Sequence, residues 1–154
     1  DWSSDVCSSD LIDWRLEMIK QKDKFRRYAS LIRKEQKKLI GTVDKAIVAK
    51  QDQDRPKELE KVLSNITKDA IRYFSTEETY MIDFKYPRYQ YHKEEHQDFS
   101  TKTHAYCKRI LNSDYQTAHE ILEYLKQWLI KHFQETDKKY TEYFNKSKLR
   151  QFYD

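Results

Sequence analysis

The stretch YPRYQYHKEEHQDF, residues 86–99, places His92 and His96 four positions apart. Side chains at positions i and i+4 share one face of an α-helix, and Phe99 continues the same face. Pro87 lacks an amide hydrogen and restricts the residue before it to an extended conformation, so a helix is expected to start here. The stretch therefore predicts a helix whose inward face carries two imidazoles.

Apolar side chains recur at steps of three, four or seven residues along four segments of the chain, which indicates four amphipathic helices. Short breaks separate them, and the first break predicts Asp54 as an N-cap with Pro56 in the next helical turn. Helices of similar length with short connections pack antiparallel. We therefore predict an all-α, up-down-up-down four-helix bundle with helices at about residues 12–49, 56–84, 87–111 and 115–144.

The composition excludes several classes of protein. The 154 residues include one glycine, too few for glycine-rich phosphate loops, dinucleotide-binding fingerprints or tight-turned β folds. No apolar run is long enough to span a bilayer, so no membrane segment is predicted. The net charge of +4 is the difference between 30 basic and 26 acidic residues and does not indicate nucleic-acid binding.

The ends of the chain differ from its centre. Residues 1–11, DWSSDVCSSDL, lack helical periodicity and resemble a translated sequencing adapter, which predicts a non-native segment; a genuine disordered terminus is the alternative. Cys107 is then the one remaining cysteine, which favours a reducing cytoplasm. We assign residues 12–29 to a helical extension or linker, 30–146 to the bundle and 147–154 to a C-terminal tail.

Polar side chains interrupt the apolar faces of the predicted helices. Besides the two histidines of the third helix, they are Gln36, Tyr73, Glu77, His132 and Asp137. Burying carboxylates without compensation costs several kcal/mol, and one cation would satisfy all of the charged groups together. Imidazole combined with carboxylate suits iron, manganese or zinc. We therefore predict that the three histidines and the two carboxylates bind metal inside the bundle.

The step from His132 to Asp137 is unusual for two ligands of one ion. Five residues correspond to a rotation of about 500°, which leaves the two side chains about 140° apart on a regular α-helix. Both face one ion only where the helix is locally widened or ends. The spacing therefore predicts a π-bulge or a helix end at this point.

The sequence resembles the hemerythrin family, in particular the bacteriohemerythrins. The resemblance covers most of residues 30–142 and rests on EQKKLI (35–40), RYFSTEETYM (72–81), the stretch 86–99 and LKQWLIKHFQETDKKY (125–140). It implies a four-helix bundle in which five histidines and two bridging carboxylates hold two non-haem irons that bind dioxygen reversibly.

By this resemblance, the histidines of one iron correspond to His92, His96 and His132, and the bridging carboxylates to Glu77 and Asp137. The resemblance therefore implies an iron-binding, dioxygen-binding protein with this set of metal ligands.

The two histidines of the family's second iron are replaced, by Gln36 on the first helix and by Tyr73 on the second. His104 and His119 match no ligand position. Three interpretations remain open. Two metals remain, with phenolate and amide oxygen as new ligands; or one metal remains, with both replacements bonded to its carboxylates; or the domain holds no metal. We prefer one metal.

The function classes that follow are a dioxygen-binding protein, a mononuclear metal or redox sensor joined through residues 12–30 to an upstream signalling module, and a metal-free interaction module. No nucleophile or oxyanion arrangement indicates an enzyme. An interaction module would use the basic surface of the first helix, which is more simply explained as a solvated face. That surface comprises Arg26, Arg27, Arg33, Lys34, Lys37 and Lys38.

Overall fold

The computed structural model describes residues 8–51 and 56–150, which contain helices and no strand. The helices are α1 (Ser8–Gln51), α2 (Pro56–Asp83), α3 (Tyr89–Asn112), α4 (Tyr115–Lys131) and α5 (Asp137–Arg150), with a π-helical turn (His132–Thr136) between the last two. Since α4, the π-helical turn and α5 are continuous, the described chain forms four helical arms. In these ranges, no helix has an apolar stretch long enough to cross a lipid bilayer.

Neighbouring arms run in opposite directions. At one end of the bundle, Lys50 of α1 donates a hydrogen bond to the carbonyl of Ser113, between α3 and α4, at 2.7 Å. At the other end, the ring of Phe84, directly after α2, lies 6.2 Å from the ring of Phe25 of α1 and 5.4 Å from the ring of Phe144 of α5. The predicted all-α, antiparallel bundle is confirmed.

The predicted inward faces of the helices form a continuous apolar core. Its fully buried aliphatic side chains include Leu39, Leu63, Ile66, Leu122 and Leu125. Burying one such side chain stabilises the fold by about 1.5–3 kcal/mol. The free energy gained from this apolar packing offsets the cost of burying charged groups at the same depth.

The connection between α2 and α3 has a local cause that the sequence did not indicate. Lys85 adopts a φ of 53°, the left-handed conformation that often terminates a helix. The amide of Tyr86 then donates to the carbonyl of Met81 at 2.8 Å. This cap keeps Pro87 in the connection, so α3 begins at Tyr89, two residues later than predicted.

The terminal helices are longer than predicted. α1 begins at Ser8, within the segment predicted to be non-native, and α5 extends into the predicted tail. The rings of Phe25 and Tyr28 pack on Tyr80 at 5.8 and 5.1 Å, so α1 joins the bundle earlier than the predicted boundary. The predicted N-cap Asp54 lies outside the described residues.

Candidate metal centre

Three imidazoles and two carboxylates meet inside the bundle. Glu77 comes from α2, His92 and His96 from α3, His132 from the π-helical turn, and Asp137 from the start of α5. Each of these residues exposes 3% or less of its surface. The structure therefore brings together all five residues for which the sequence predicted a common site.

The π-helical turn places two of these side chains on one face of the fourth arm. The amide of Asp137 donates to the carbonyl of His132, five residues earlier. As a result, Oδ1 of Asp137 lies 3.0 Å from Nε2 of His132. A regular α-helix would hold the two side chains about 140° apart. The local widening predicted from the five-residue step is confirmed.

Donor atoms from four of the residues surround one point. One atom each from Glu77, His92, His96 and His132 lies within 4.8 Å of all the others. Oε2 of Glu77 is 3.3 Å from Nε2 of His96 and 3.6 Å from Nε2 of His92. It is 4.0 Å from Nε2 of His132. Donors bound about 2.1 Å from an ion are separated by about 3.0–3.4 Å as neighbours and about 4.2 Å across it. The spacing fits one small metal ion.

Asp137 adds a fifth donor at the edge of this group. Its Oδ1 atom lies 3.0 Å from Nε2 of His132 and 3.4 Å from Nε2 of His92. An ion that prefers six ligands would have one position left if these three nitrogen and two oxygen donors held it. A water molecule or a small exogenous ligand would occupy that position.

Two further carboxylates orient the histidine rings. Nδ1 of His96 lies 3.0 Å from Glu78, and Nδ1 of His132 lies 3.1 Å from Glu95. A neutral imidazole that donates through Nδ1 carries a lone pair on Nε2, as a metal ligand requires. The Nε2 atoms of the two rings face each other at 3.2 Å. Two nitrogen lone pairs that face each other repel unless one nitrogen carries a proton or both contact a metal cation.

Inward atoms of three of these side chains have no hydrogen-bond partner among the described residues. They are Oε2 of Glu77, Nε2 of His92 and Oδ1 of Asp137. A buried polar atom left unpaired costs about 1–3 kcal/mol. The unpaired atoms converge on the point that the histidines surround, so this set of donors fits a metal ion.

The opposite oxygens of the two carboxylates are occupied by protein donors. The phenol of Tyr73 donates to Oδ2 of Asp137, and the amide of Gln36 donates to the same oxygen at 3.1 Å. Tyr140 donates to Oε1 of Glu77 at 2.6 Å. Each carboxylate therefore turns one unpaired oxygen towards the histidines and one hydrogen-bonded oxygen elsewhere.

The two phenols of the site are held in their protonated form. Burial raises the pKa of Tyr73 well above its usual range, and the charges of Glu77 and Asp137 raise it further. Burial and the same two charges also raise the pKa of Tyr140. Both side chains therefore act as hydrogen-bond donors to the carboxylates.

The histidines and carboxylates also shift one another's protonation. Burial lowers the pKa of His132, but the nearby carboxylates of Asp137 and Glu95 outweigh this effect and raise it to about 9. Burial raises the pKa of Asp137, but the nearby imidazoles of His132 and His92 hold it well below its usual range. Protons and metal ions therefore compete for the same nitrogen atoms.

Three contributors to the site were missed in the sequence. Glu78 and Glu95 each adjoin an inward residue, Glu77 and His96 respectively, and charged residues beside an inward position usually face solvent. Tyr140 lies on the inward face and could have been found by continuing the helical period three residues beyond Asp137.

The two histidines predicted to lie outside the site do so. His104 is exposed, and the ring of His119 stacks on Tyr115 at 5.6 Å.

A helical bundle with imidazoles and carboxylates converging in its core defines a cation-binding helical domain. A sequence model of the hemerythrin HHE cation-binding domain matches residues 11–144. The chain therefore belongs to the hemerythrin HHE cation-binding domain family. A comparison with curated proteins found no match.

Proposed function

We propose that this hemerythrin-like domain binds one non-haem iron ion through the three histidines and the two carboxylates of the cluster. The observation that supports one ion is the unequal state of the carboxylate oxygens. The inner oxygens of Glu77 and Asp137 are unpaired, whereas the outer oxygens accept hydrogen bonds. An ion on the inner side gains both unpaired oxygens without breaking any of these hydrogen bonds.

A second ion bridged by the same carboxylates would need their outer oxygens. Gln36 and Tyr73 hold the outer oxygen of Asp137, and Tyr140 holds that of Glu77. Displacing these donors would leave buried polar groups unpaired, at about 1–3 kcal/mol each. Neither Gln36 nor Tyr73 offers an imidazole in return.

One iron has consequences for chemistry. In the hemerythrin family, reversible dioxygen binding draws one electron from each of two irons. A single iron in this ligand set would supply a one-electron redox change and one open position for a small ligand. We therefore propose a metal- or redox-sensing role, without catalysis, in place of reversible dioxygen carriage.

The same proposal gives α1 a role in the output. The Gln36 amide links α1 to Asp137 at the centre, so a change in charge there alters a hydrogen bond of α1. More than five turns of α1 lie on the N-terminal side of Gln36. Leu16 and Ile19 on this part of α1 are 49% and 56% exposed, which leaves apolar surface for an adjoining module.

The proposal is tested by purifying the chain from iron-rich medium. Iron per chain is measured, and absorption spectra are recorded before and after exposure to air. We expect one iron, no oxo-bridge absorption, and a melting temperature that falls when a chelator removes the metal. Two irons per chain with an oxo-bridge spectrum would contradict the proposal. A chain that contains no metal and has the same melting temperature with and without chelator would contradict it as well.

A matched pair of variants on α3 identifies the site. His96→Ala removes a proposed ligand and should abolish iron binding, whereas His104→Ala removes an exposed histidine two turns further on and should retain it. Equal retention of iron by both variants would place the metal elsewhere in the chain.

A further inference from the structure

A cavity of about 280 Å³ lies between α1 and α5, beside the metal centre. Most of its wall is apolar and consists of Phe25, Ala29, Ile32, Tyr80 and Phe133. Gln36 and Asp137 reach the cavity, but none of the clustered histidines lines it. A cavity with this wall favours an apolar ligand.

Two cationic side chains add a charged edge to the cavity. Arg33 and Lys138 both line it and are both exposed, so they stand at its opening. Among the residues that the structure describes, no carboxylate forms an ion pair with Arg33. Lys138 pairs with the exposed Glu142 at 3.6 Å, a weak contact that solvent screens. Arg33 is therefore the cation at the opening that has no carboxylate partner among the described residues, and Lys138 shares its charge with Glu142.

The two cations lie together at one end of the cavity, and apolar surface continues along it to the other end. Arg33 lies one turn before Gln36 on α1, and Gln36 contacts Asp137, the residue that precedes Lys138 on α5. Arg33 and Lys138 therefore lie near the same end of the cavity. Phe25 lies two turns earlier on α1, where its ring packs against Tyr80 at 5.8 Å. The cavity thus has the rings of Phe25 and Tyr80 at one end, and the two cations together with the ring of Phe133 at the other.

We propose that this cavity binds a small amphipathic carboxylate, with its charged group at Arg33 and Lys138 and its hydrocarbon chain along Ala29 and Phe25. The guanidinium fork of arginine matches a carboxylate with two parallel hydrogen bonds. Asp137 at this end is buried and accepts hydrogen bonds from Tyr73 and Gln36, whereas Arg33 and Lys138 are exposed, so an anion is favoured at the exposed cations. The apolar wall leaves few partners for a polyanion such as a nucleotide.

This ligand site goes beyond the proposed iron binding and does not depend on it. A ligand here would lie against Gln36 and Asp137, which hydrogen-bond to each other at 3.1 Å. It would therefore contact the same link between α1 and the metal centre. The chemistry of the cavity, rather than that of the metal, selects the ligand.

Calorimetric titration with octanoate tests the proposal, with 1-octanol as the uncharged counterpart. We expect saturable binding of one octanoate per chain and at least threefold weaker binding of octanol. Octanol binding as tightly as octanoate, or octanoate failing to saturate, would overturn the proposal. The titration is repeated on His96→Ala, so that failure of ligand binding and failure of metal binding are recorded separately.

Matched variants on α1 locate the ligand. Arg33→Gln should weaken octanoate binding about threefold to tenfold, because one charge-assisted contact is lost. Arg27→Gln is the control, because Arg27 lies on the exposed face of the same helix and its replacement should leave octanoate binding unchanged. Ala29→Phe fills the cavity and should abolish binding, with a cooperative melting curve confirming that it folds. Equal affinities for the two arginine variants, or unchanged binding by a folded Ala29→Phe, would overturn the proposal.

Discussion

The phenol of Tyr73 donates a hydrogen bond to Oδ2 of Asp137, the carboxylate oxygen that does not face the histidine cluster. Gln36 donates to the same oxygen at 3.1 Å. By family resemblance, these two residues occupy the positions of the histidines of a second iron. Here both side chains donate hydrogen bonds to a carboxylate of the histidine cluster. This relationship is the structural reason for expecting one metal ion.

Replacing Tyr73 by Phe tests whether the phenol is a donor or a metal ligand. Tyr73→Phe removes a buried hydrogen bond to a charged group, so the free energy of unfolding should fall by about 1–3 kcal/mol. The iron content should stay at one per chain, as measured by metal analysis beside urea denaturation. Tyr91→Phe, at a 69% exposed position, should change stability by less than about 0.5 kcal/mol.

The same variant has a spectroscopic outcome. If Tyr73 were a phenolate ligand, the iron-loaded chain would show a phenolate charge-transfer band that disappears in Tyr73→Phe. We expect no such band in either protein, because burial and two nearby carboxylates keep the phenol protonated.

The carboxylates that orient the histidines should influence metal affinity without binding metal. Glu95→Gln weakens the acceptor for Nδ1 of His132, and iron or zinc affinity should fall about 10- to 100-fold in a competition titration with a chelator. Glu94→Gln is the matched control, because Glu94 is exposed and contacts Gln90 at 3.5 Å. Equal affinities for the two variants would show that Glu95 has no orienting role.

Metal uptake should release protons. The pKa of His132 is raised to about 9, so the metal-free site holds a proton there at pH 7. Metal ligation needs the neutral ring, and affinity should therefore rise with pH until about pH 9. Calorimetry of zinc binding in buffers of different ionisation enthalpy should give at least one proton released at pH 7 and fewer at pH 10. No buffer dependence at pH 7 would contradict this assignment.

A buried acidic residue away from the metal centre should control stability in acid. Asp69 accepts hydrogen bonds from Lys38 at 2.7 Å, Thr42 at 2.9 Å and Arg72 at 2.8 Å. Burial raises the pKa of Asp69, but the bonds from Lys38 and Thr42 outweigh this effect and lower it. Asp69→Asn should therefore reduce the free energy of unfolding by about 1–3 kcal/mol at pH 7.

The sign of the pH dependence follows from the lowered pKa of Asp69. Its contribution is complete above the pKa of the unfolded chain and disappears as the pH falls through the pKa of the folded state. Urea denaturation should thus show the difference between wild type and Asp69→Asn shrinking as the pH falls below about 4. Asp98→Asn, which removes an exposed ion pair with Lys102, should have little effect at any pH. A constant difference across the pH range would exclude ionisation of Asp69 as the cause.

The fold and the centre of the site could be predicted because both follow helical periodicity. Glu77, His92 and His96 lie in register with apolar residues, so the sequence places them inside. The step from His132 to Asp137 breaks that period, and the sequence predicted the widened helix required to bring the two together. These predictions concern single helices, where spacing along the chain decides direction.

Contacts between helices were less predictable. Glu95 has a side chain that is 46% exposed, and its role depends on how far α3 stands from the π-helical turn. Asp69 is buried because Lys38 and Arg72 reach over it from two helices, an arrangement that no local pattern encodes. The cavity beside Ala29 likewise depends on the distance between α1 and α5.

The most direct test of a one-metal centre is the stoichiometry of a ferrous iron titration under anaerobic conditions. We predict saturation at one ion per chain for the wild type and two for the double variant Gln36→His with Tyr73→His, in which both outer donors are replaced by imidazoles. Saturation of the wild type at two ions would contradict the one-metal proposal. A double variant that stays at one ion would contradict the assignment of Gln36 and Tyr73 to the positions of the second iron's histidines.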